Sequence, residues 1–198
     1  FPEALRTLAK RAGIELANSS YDSVTSSKKE ILYKINALAL EFYHYILTKH
    51  AAGKKGAAYL TDRKINQRVW ETFKIGFAPH FGNALSTYLL KKKRLPPQDI
   101  VDAGLGYFRG KEVSDFFSGR LIFPLIDHRD NVTGFSGRVI DAKTYGPKYI
   151  NTRETLVYHK GDQFFGLNIA KEAIRKQNQA VVTEGEFDVI ACFQQGIL

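Results

Sequence analysis

Residues 180–188 read Ala180-Val181-Val182-Thr183-Glu184-Gly185-Glu186-Phe187-Asp188. A short apolar run delivers Glu184 at its end, Gly185 permits a tight turn, and Glu186 to Gln195 follows with helical composition. Leu167 to Lys176, upstream, is helical in composition as well. Helix, buried strand at Ala180 to Thr183, acidic turn and helix together open an α/β layer. Glu184 and Asp188 are oxygen donors of the kind that suit a hard divalent cation such as Mg²⁺, which keeps water or phosphate oxygens in its shell. The same two carboxylates suit a plain helix N-terminus, where negative charge is favoured without any metal.

Working back from this unit, Leu121 to Ile126 is a compact apolar run containing Pro124, Asp127 to Asn131 supplies turn chemistry, and Val132 to Ile140 reads as a second strand. A hairpin is expected, its first strand at an edge or bulged because proline donates no ladder hydrogen bond. Gly134 and Gly137 in the second strand imply either close backbone approach to a ligand or a bulge. Tyr145 to Ile150 adds a short strand. Before about Gly104 the pattern is helix and turn. Ile31, Leu32, Ile35, Leu38, Ala39, Phe42 and Ile46 recur near a period of 3.6 and predict a helix over Lys28 to Thr48. Two short helices follow between Ala57 and Phe73, divided near Lys64, and another spans Asn83 to Leu90. Phe1, Leu5, Leu8 and Ala9 trace a first amphipathic helix stopped by Gly13. Leu16 to Ser27, rich in Ser, Asn and Thr, reads as a linker. The fold class is α+β / α/β: a mixed helical and β amino-terminal subdomain leading into the first strand-helix unit of an α/β domain.

The chain has 198 residues, 44% apolar and 13% aromatic, which is enough to fill a core. Lys plus Arg number 29 against 20 Asp plus Glu, and the formal charge of +9 favours a polyanionic partner. The single Cys192 excludes an internal disulfide and a structural thiolate zinc site, and within an apolar helical stretch it reads as a buried small hydrophobe. Neither GxGxxG nor GxxxxGK[ST] is present, and the five His residues show no HExxH pattern. No apolar run is long enough for a membrane helix. Arg120, Arg138, Lys148 and Lys160 sit beside Gly, Pro or aromatic residues in the strand-and-turn region, where guanidinium and ammonium groups meet phosphates, although scattered cations also serve solubility. Lys91 to Arg94 reads as a solvated tip that also suits a nucleic-acid backbone. Met is absent, even at position 1, as expected of an excised or processed segment.

Several spaced motifs resemble the bacterial replicative primases, the DnaG-type DNA-directed RNA polymerases. They are Phe1-Pro2-Glu3-Ala4 with Ala12-Gly13-Ile14, Gly56-Ala57-Ala58-Tyr59-Leu60 with Arg63, and Phe73-Lys74-Ile75-Gly76-Phe77-Ala78-Pro79. Gly119-Arg120-Leu121-Ile122-Phe123-Pro124-Leu125 and Gly134-Phe135-Ser136-Gly137-Arg138-Val139 continue the order, as do Pro147-Lys148-Tyr149-Ile150-Asn151-Thr152, His159-Lys160-Gly161 and Phe165-Gly166-Leu167. The resemblance implies that Glu184 to Asp188 is the first acidic motif of a Toprim domain. Glu184 and Asp188 are then its catalytic carboxylates and ligands to Mg²⁺ or Mn²⁺, completed by residues beyond Leu198. Arg120, Arg138, Lys148 and Lys160 then hold template or nucleotide phosphates. The implied reaction is synthesis of short RNA primers from ribonucleoside triphosphates on single-stranded DNA, in the bacterial cytoplasm at the replisome, with no membrane association. Residues 1–15 correspond to the tail after a zinc-binding domain, which alone holds Zn²⁺. Residues 16–27 are a linker, 28–165 the amino-terminal subdomain of the polymerase core and 166–198 the start of the Toprim domain. A replicative helicase is contacted through a carboxy-terminal domain, and the isolated chain is expected to be inactive. Two departures stand out: Glu186 replaces the family's usual Tyr, and Asp115 to Gly119 is less basic than in many relatives. A non-catalytic nucleic-acid-binding module and the Toprim domain of a phage- or organellar-type helicase-primase are the alternatives.

Overall fold

The computed structural model describes residues 8–9, 11–13, 20–141 and 146–197. Most of the expected first helix, the start of the linker, Tyr145 and Leu198 lie outside the described residues. The 3.6 period does produce the long helix: α1 runs Ser20–Lys49 as 30 residues. It begins within the segment read as a linker, so residues 20–27 are helical. Ser and Thr each cost no more than about 0.7 kcal/mol in a helix relative to Ala, and propagation from a formed helix adds a hydrogen bond per residue. Lys28 in this amino-terminal part pairs with Asp102 at 2.6 Å. Next come α2 (Lys54–Asp62) and α3 (Gln67–Thr72), with Lys64 between them in the left-handed region at φ 58°.

Strands β1 (Gly76–Ala78), β4 (Arg120–Ile126), β5 (Val132–Val139) and β6 (Tyr149–Asn151) form an antiparallel sheet in the order β1-β4-β5-β6. Between β1 and β4 lie α4 (Ala84–Thr87) running into a π turn at Tyr88–Lys92, α5 (Pro97–Asp102), and a separate hairpin of β2 (Gly106–Arg109) and β3 (Glu112–Asp115). The chain then continues through α6 (Leu167–Gln177) and α7 (Glu186–Gln194).

The expected hairpin is β4–β5, but β4 is an interior strand. Pro124 is tolerated because β1 pairs only as far as Ile122, which leaves the proline on a locally free edge opposite Phe135. The irregular register falls later, between Leu125 and Ile126. Gly134 borders the irregularity, since Leu125 pairs with Gly134 and Ile126 with Val132, whereas Gly137 lies in regular register opposite Ile122. A Cβ at Gly134 would meet Thr152 at 3.0 Å, and one at Gly137 would meet Phe117 at 2.6 Å, so both are close-packing positions. Ala180 to Thr183 forms no strand. No strand among the described residues pairs with it, and a ladder needs a partner for its backbone groups. Val181 and Val182 are consequently 65% and 75% exposed.

The sheet is buried on both faces. Ile122 and Phe135 join Leu32, Ile35, Ala39 and Tyr43 of α1 in one cluster, while Phe77, Leu121 and Phe123 join Leu60, Val69 and Ile190 in the other. Asp115, which opens the segment noted above as less basic than in many relatives, is a buried cap. Its carboxylate accepts from the N–H groups of Leu85 at 2.9 Å and Ser86 at 2.7 Å, satisfying the start of α4. Burial pushes that carboxyl above its ordinary pKa despite these bonds.

Gly76 to Ala should lower the urea-unfolding free energy by roughly 2–3 kcal/mol, since the new methyl would meet α1 backbone; an unchanged midpoint would reject this packing. A second expectation concerns pH. Burial raises the Asp102 carboxyl, but hydrogen bonds from Lys28 and Gln98 outweigh it and hold the pKa below the ordinary value of 3.8. A depressed carboxyl stabilises the fold above its unfolded pKa, and that contribution disappears as pH falls through the folded one. Asp102→Asn should therefore be less stable than the parent at neutral pH and converge with it in acid, and parallel pH curves would contradict the pairing.

Candidate functional site

Directly opposed residues of neighbouring strands share a face. The register therefore puts Leu121, Phe123, Ser136, Arg138, Tyr149 and Asn151 together, on the side covered by α7. Arg138 is only 8% exposed. Its guanidinium carbon lies 4.8 Å from the Phe187 ring centroid, 5.0 Å from Tyr149 and 5.8 Å from Tyr59, and its Nη1 donates to the Tyr149 hydroxyl. Arg63, at the end of α2, lies 5.0 Å from Tyr59 and 4.7 Å from Phe187. Buried cation–π contacts of this kind are worth up to about 2 kcal/mol, so the rings fix Arg138 without a carboxylate. Arg63, Tyr59, Tyr149 and Phe187 were not recognised as a group from sequence. The Tyr59–Arg63 spacing of i, i+4 was the available signal, because it stacks the two on one helix face.

Next to this cluster is a cleft of about 650 Å³ whose polar walls include Asn151, Tyr158, Lys160, Thr183, Glu184 and Glu186. Lys160 and Glu184, from separate sequence motifs, are thus brought to one cavity. Asp188 is exposed in the first turn of α7, and Lys148 is exposed just before β6; neither lines the cleft. Cys192, expected to be buried, is half-buried and does line it. Burial raises the Tyr158 pKa, with Glu154 and Glu186 adding to the effect and Asn151 opposing it. Tyr149 is likewise raised by burial against the Arg138 hydrogen bond, again with a contribution from Glu186. Glu186, in the place of the resemblance's tyrosine, therefore puts negative charge within reach of both hydroxyls.

Arg120 is placed differently. It is 4% exposed, and its Nη1 donates to the carbonyls of Gly137 at 3.2 Å and Pro147 at 2.9 Å. Its guanidinium ties the turn before β6 to β5. As for a metal, Glu184 lies just before α7 and Asp188 in its first turn, and both offer hard oxygen donors of the kind Mg²⁺ takes with water and phosphate completing the shell. No group of three or more His, Cys, Asp or Glu residues converges among the described residues. On this side of the sheet and in the cleft, Ser136 Oγ, Arg138 Nε and Thr183 Oγ1 are buried with no protein hydrogen-bond partner among the described residues.

Residues 42–171 match the family model described as DNA primase catalytic core, N-terminal domain. The DNA primase of Halalkalibacterium halodurans is 38% identical over 202 residues, covering 100% of this chain and 33% of the relative. The chain thus spans about a third of the length of the curated relatives it matches. Among solved structures, the RNA polymerase domain of Mycobacterium tuberculosis primase DnaG, in complex with a double-stranded DNA oligomer with a 6-nucleotide overhang, superposes with TM-score 0.80. It is 34% identical, with 85% of this chain and 52% of that chain covered. A DnaG primase catalytic domain bound to ssDNA has TM-score 0.76 and 34% identity, covering 87% of this chain and 53% of that one. The non-catalytic module and the phage-type helicase-primase are not favoured by these matches.

Arg120→Met should cost about 1–3 kcal/mol by leaving two carbonyls without their donor. It should also speed hydrogen exchange at the Val139 amide, which bonds Lys148 across the braced turn. Unchanged exchange there would show that the guanidinium does not hold the turn.

Proposed function

The chain belongs to the family of the DNA primase catalytic core, N-terminal domain, and on that premise we propose that it forms part of an enzyme synthesising short RNA primers on single-stranded DNA. The observation that carries this reading is the meeting of Lys160 and Glu184 in one cleft, beside a guanidinium held by aromatic rings. A cleft lined by Lys160 together with the carboxylates Glu184 and Glu186 suits a nucleoside triphosphate. Phosphates want positive charge, and the reacting oxygen needs a site for a hard cation.

In this reading Lys160 meets nucleotide phosphates at the cleft wall, and exposed Lys148 meets the template backbone. Arg138 presents its guanidinium toward the same phosphates while Tyr149 fixes its orientation. Arg120 contributes indirectly, by holding the turn that carries Lys148. Glu184 and Asp188 would hold Mg²⁺ or Mn²⁺, which when bound neutralises charge developing on the transferred phosphoryl group. The residues of the chain itself hold the primer end and the nucleotide in line and keep their phosphates from drifting. A zinc site and contact with a replicative helicase belong, in this proposal, to parts of the protein outside these 198 residues. No helix among the described residues is long and apolar enough to cross a membrane.

The test uses the full-length protein with template, ribonucleoside triphosphates and Mg²⁺. Glu184→Gln should reduce primer synthesis at least about 100-fold while template affinity stays within about twofold. Lys148→Ala should weaken template binding and lower the slope of affinity against salt by about 1. Equal loss of synthesis and binding in Glu184→Gln would overturn its role as a metal carboxylate.

A further inference from the structure

Phe187 stands between Glu186 and Asp188 in the first turn of α7, and its ring is the meeting point of two cations. The guanidinium carbons of Arg63 and Arg138 lie 4.7 and 4.8 Å from its centroid. The same two groups approach Tyr59 at 5.0 and 5.8 Å. From the sheet, Phe123 meets Phe187 edge-on at 5.3 Å. No carboxylate ion pair engages either guanidinium among the described residues. Two like charges are thus gathered at one ring by attraction to its π face, with their charge left free for an anion.

We propose that Phe187 is a positioning residue: by holding Arg138 against its ring, with Arg63 beside it, it fixes the distance between the guanidinium that meets phosphate and the acidic turn carrying Glu184 and Asp188. The inference rests on the primase reading above and adds to it a residue that touches no reactant. Its physical content is a chain of contacts. Arg138 is tied to β6 through the Tyr149 hydroxyl, β6 continues to Asn151 at the cleft wall, and Phe187 ties Arg138 to the backbone of the acidic turn. An aliphatic side chain of similar volume fills the same space on Phe123 but offers no π face. Without the ring, Arg138 and the acidic turn lose their shared anchor. Geometric errors of about 1 Å between reacting groups can lower rates by as much as about 100-fold, so the loss should fall on turnover more than on binding.

The experiment compares Phe187→Leu and Phe187→Tyr in the full-length protein, with three readouts. One is the rate at which phenylglyoxal modifies Arg138, followed by mass spectrometry; the second is kcat and nucleotide KM for primer synthesis; the third is the melting midpoint. The Leu variant should expose Arg138 to modification at least about fivefold faster. It should lower kcat about tenfold with KM within about twofold, and the Tyr variant should restore both. A merely structural role would lower the midpoint without splitting kcat from KM and without rescue by Tyr. Arg138 remaining protected in the Leu variant, parental kcat in that variant, or a Tyr variant no better than Leu would each overturn the proposal. Should the parent make no primers, the primase reading fails on its own. The ring's hold on Arg138 is then upheld by protection lost in Leu and kept in Tyr, and overturned by protection unchanged.

Discussion

The long helix can lie on the sheet only because position 76 carries no side chain. A Cβ there would sit 2.5 Å from Tyr43 Cβ and 2.7 Å from the Tyr43 carbonyl carbon. That approach brings Tyr43 into edge contact with Phe117 and Phe135, and its buried hydroxyl is pushed well above its ordinary pKa, first by burial and then by Asp115. With α1 at this distance, β1 and β5 are covered on one face, and their partner β4 is free to bury alternate side chains on the other. The arrangement of the second face, where the candidate site lies, follows from the tight fit of the first.

The site face is organised by aromatic rings more than by ion pairs. Phe73 stacks on Phe165 at 5.3 Å and meets Phe193 edge-on at 5.1 Å, while Phe123 meets Phe165 at 5.8 Å. These contacts seat α6 and α7 against the sheet. At the far end of α7, Gln194 accepts from the Asn66 N–H at 3.0 Å and donates to the Lys64 carbonyl. Rings and one amide therefore fix both ends of the helix that bears the acidic turn. The cations around it keep their charge unneutralised, which is the electrostatic condition for receiving phosphate.

Much of this was legible in the residues. The apolar period from Ile31 to Ile46 gave a helix because packing and periodicity agree there, and the turn at Asp127 to Asn131 joins the two strands that flank it. Its chemistry is explicit: Asp127 accepts from the N–H groups of Arg129 and Asn131. Other features depend on partners far along the chain. Pro124 could not be placed without knowing where β1 stops, and Gly137 could not be read without Phe117. Ala180 to Thr183 has strand composition, but a strand exists only where a neighbour pairs with it. Within the site, Glu184 and Lys160 stood out by local motif. The guanidinium pair at Phe187 did not, because a cation–π contact leaves no signature in the order of residues unless both partners lie on one helix.

The length of α1 also has a consequence for how the molecule comes apart. Its middle supplies Leu32, Ile35 and Ala39 to one apolar cluster, and its end supplies Ile46 and Leu47 to the other. β4 is shared in the same way, through Ile122 and Phe123. Neither cluster can lose its packing while this helix and strand remain native in the other. The two layers are therefore one cooperative unit, and the acidic turn on α7 inherits its rigidity from residues on the far side of the sheet.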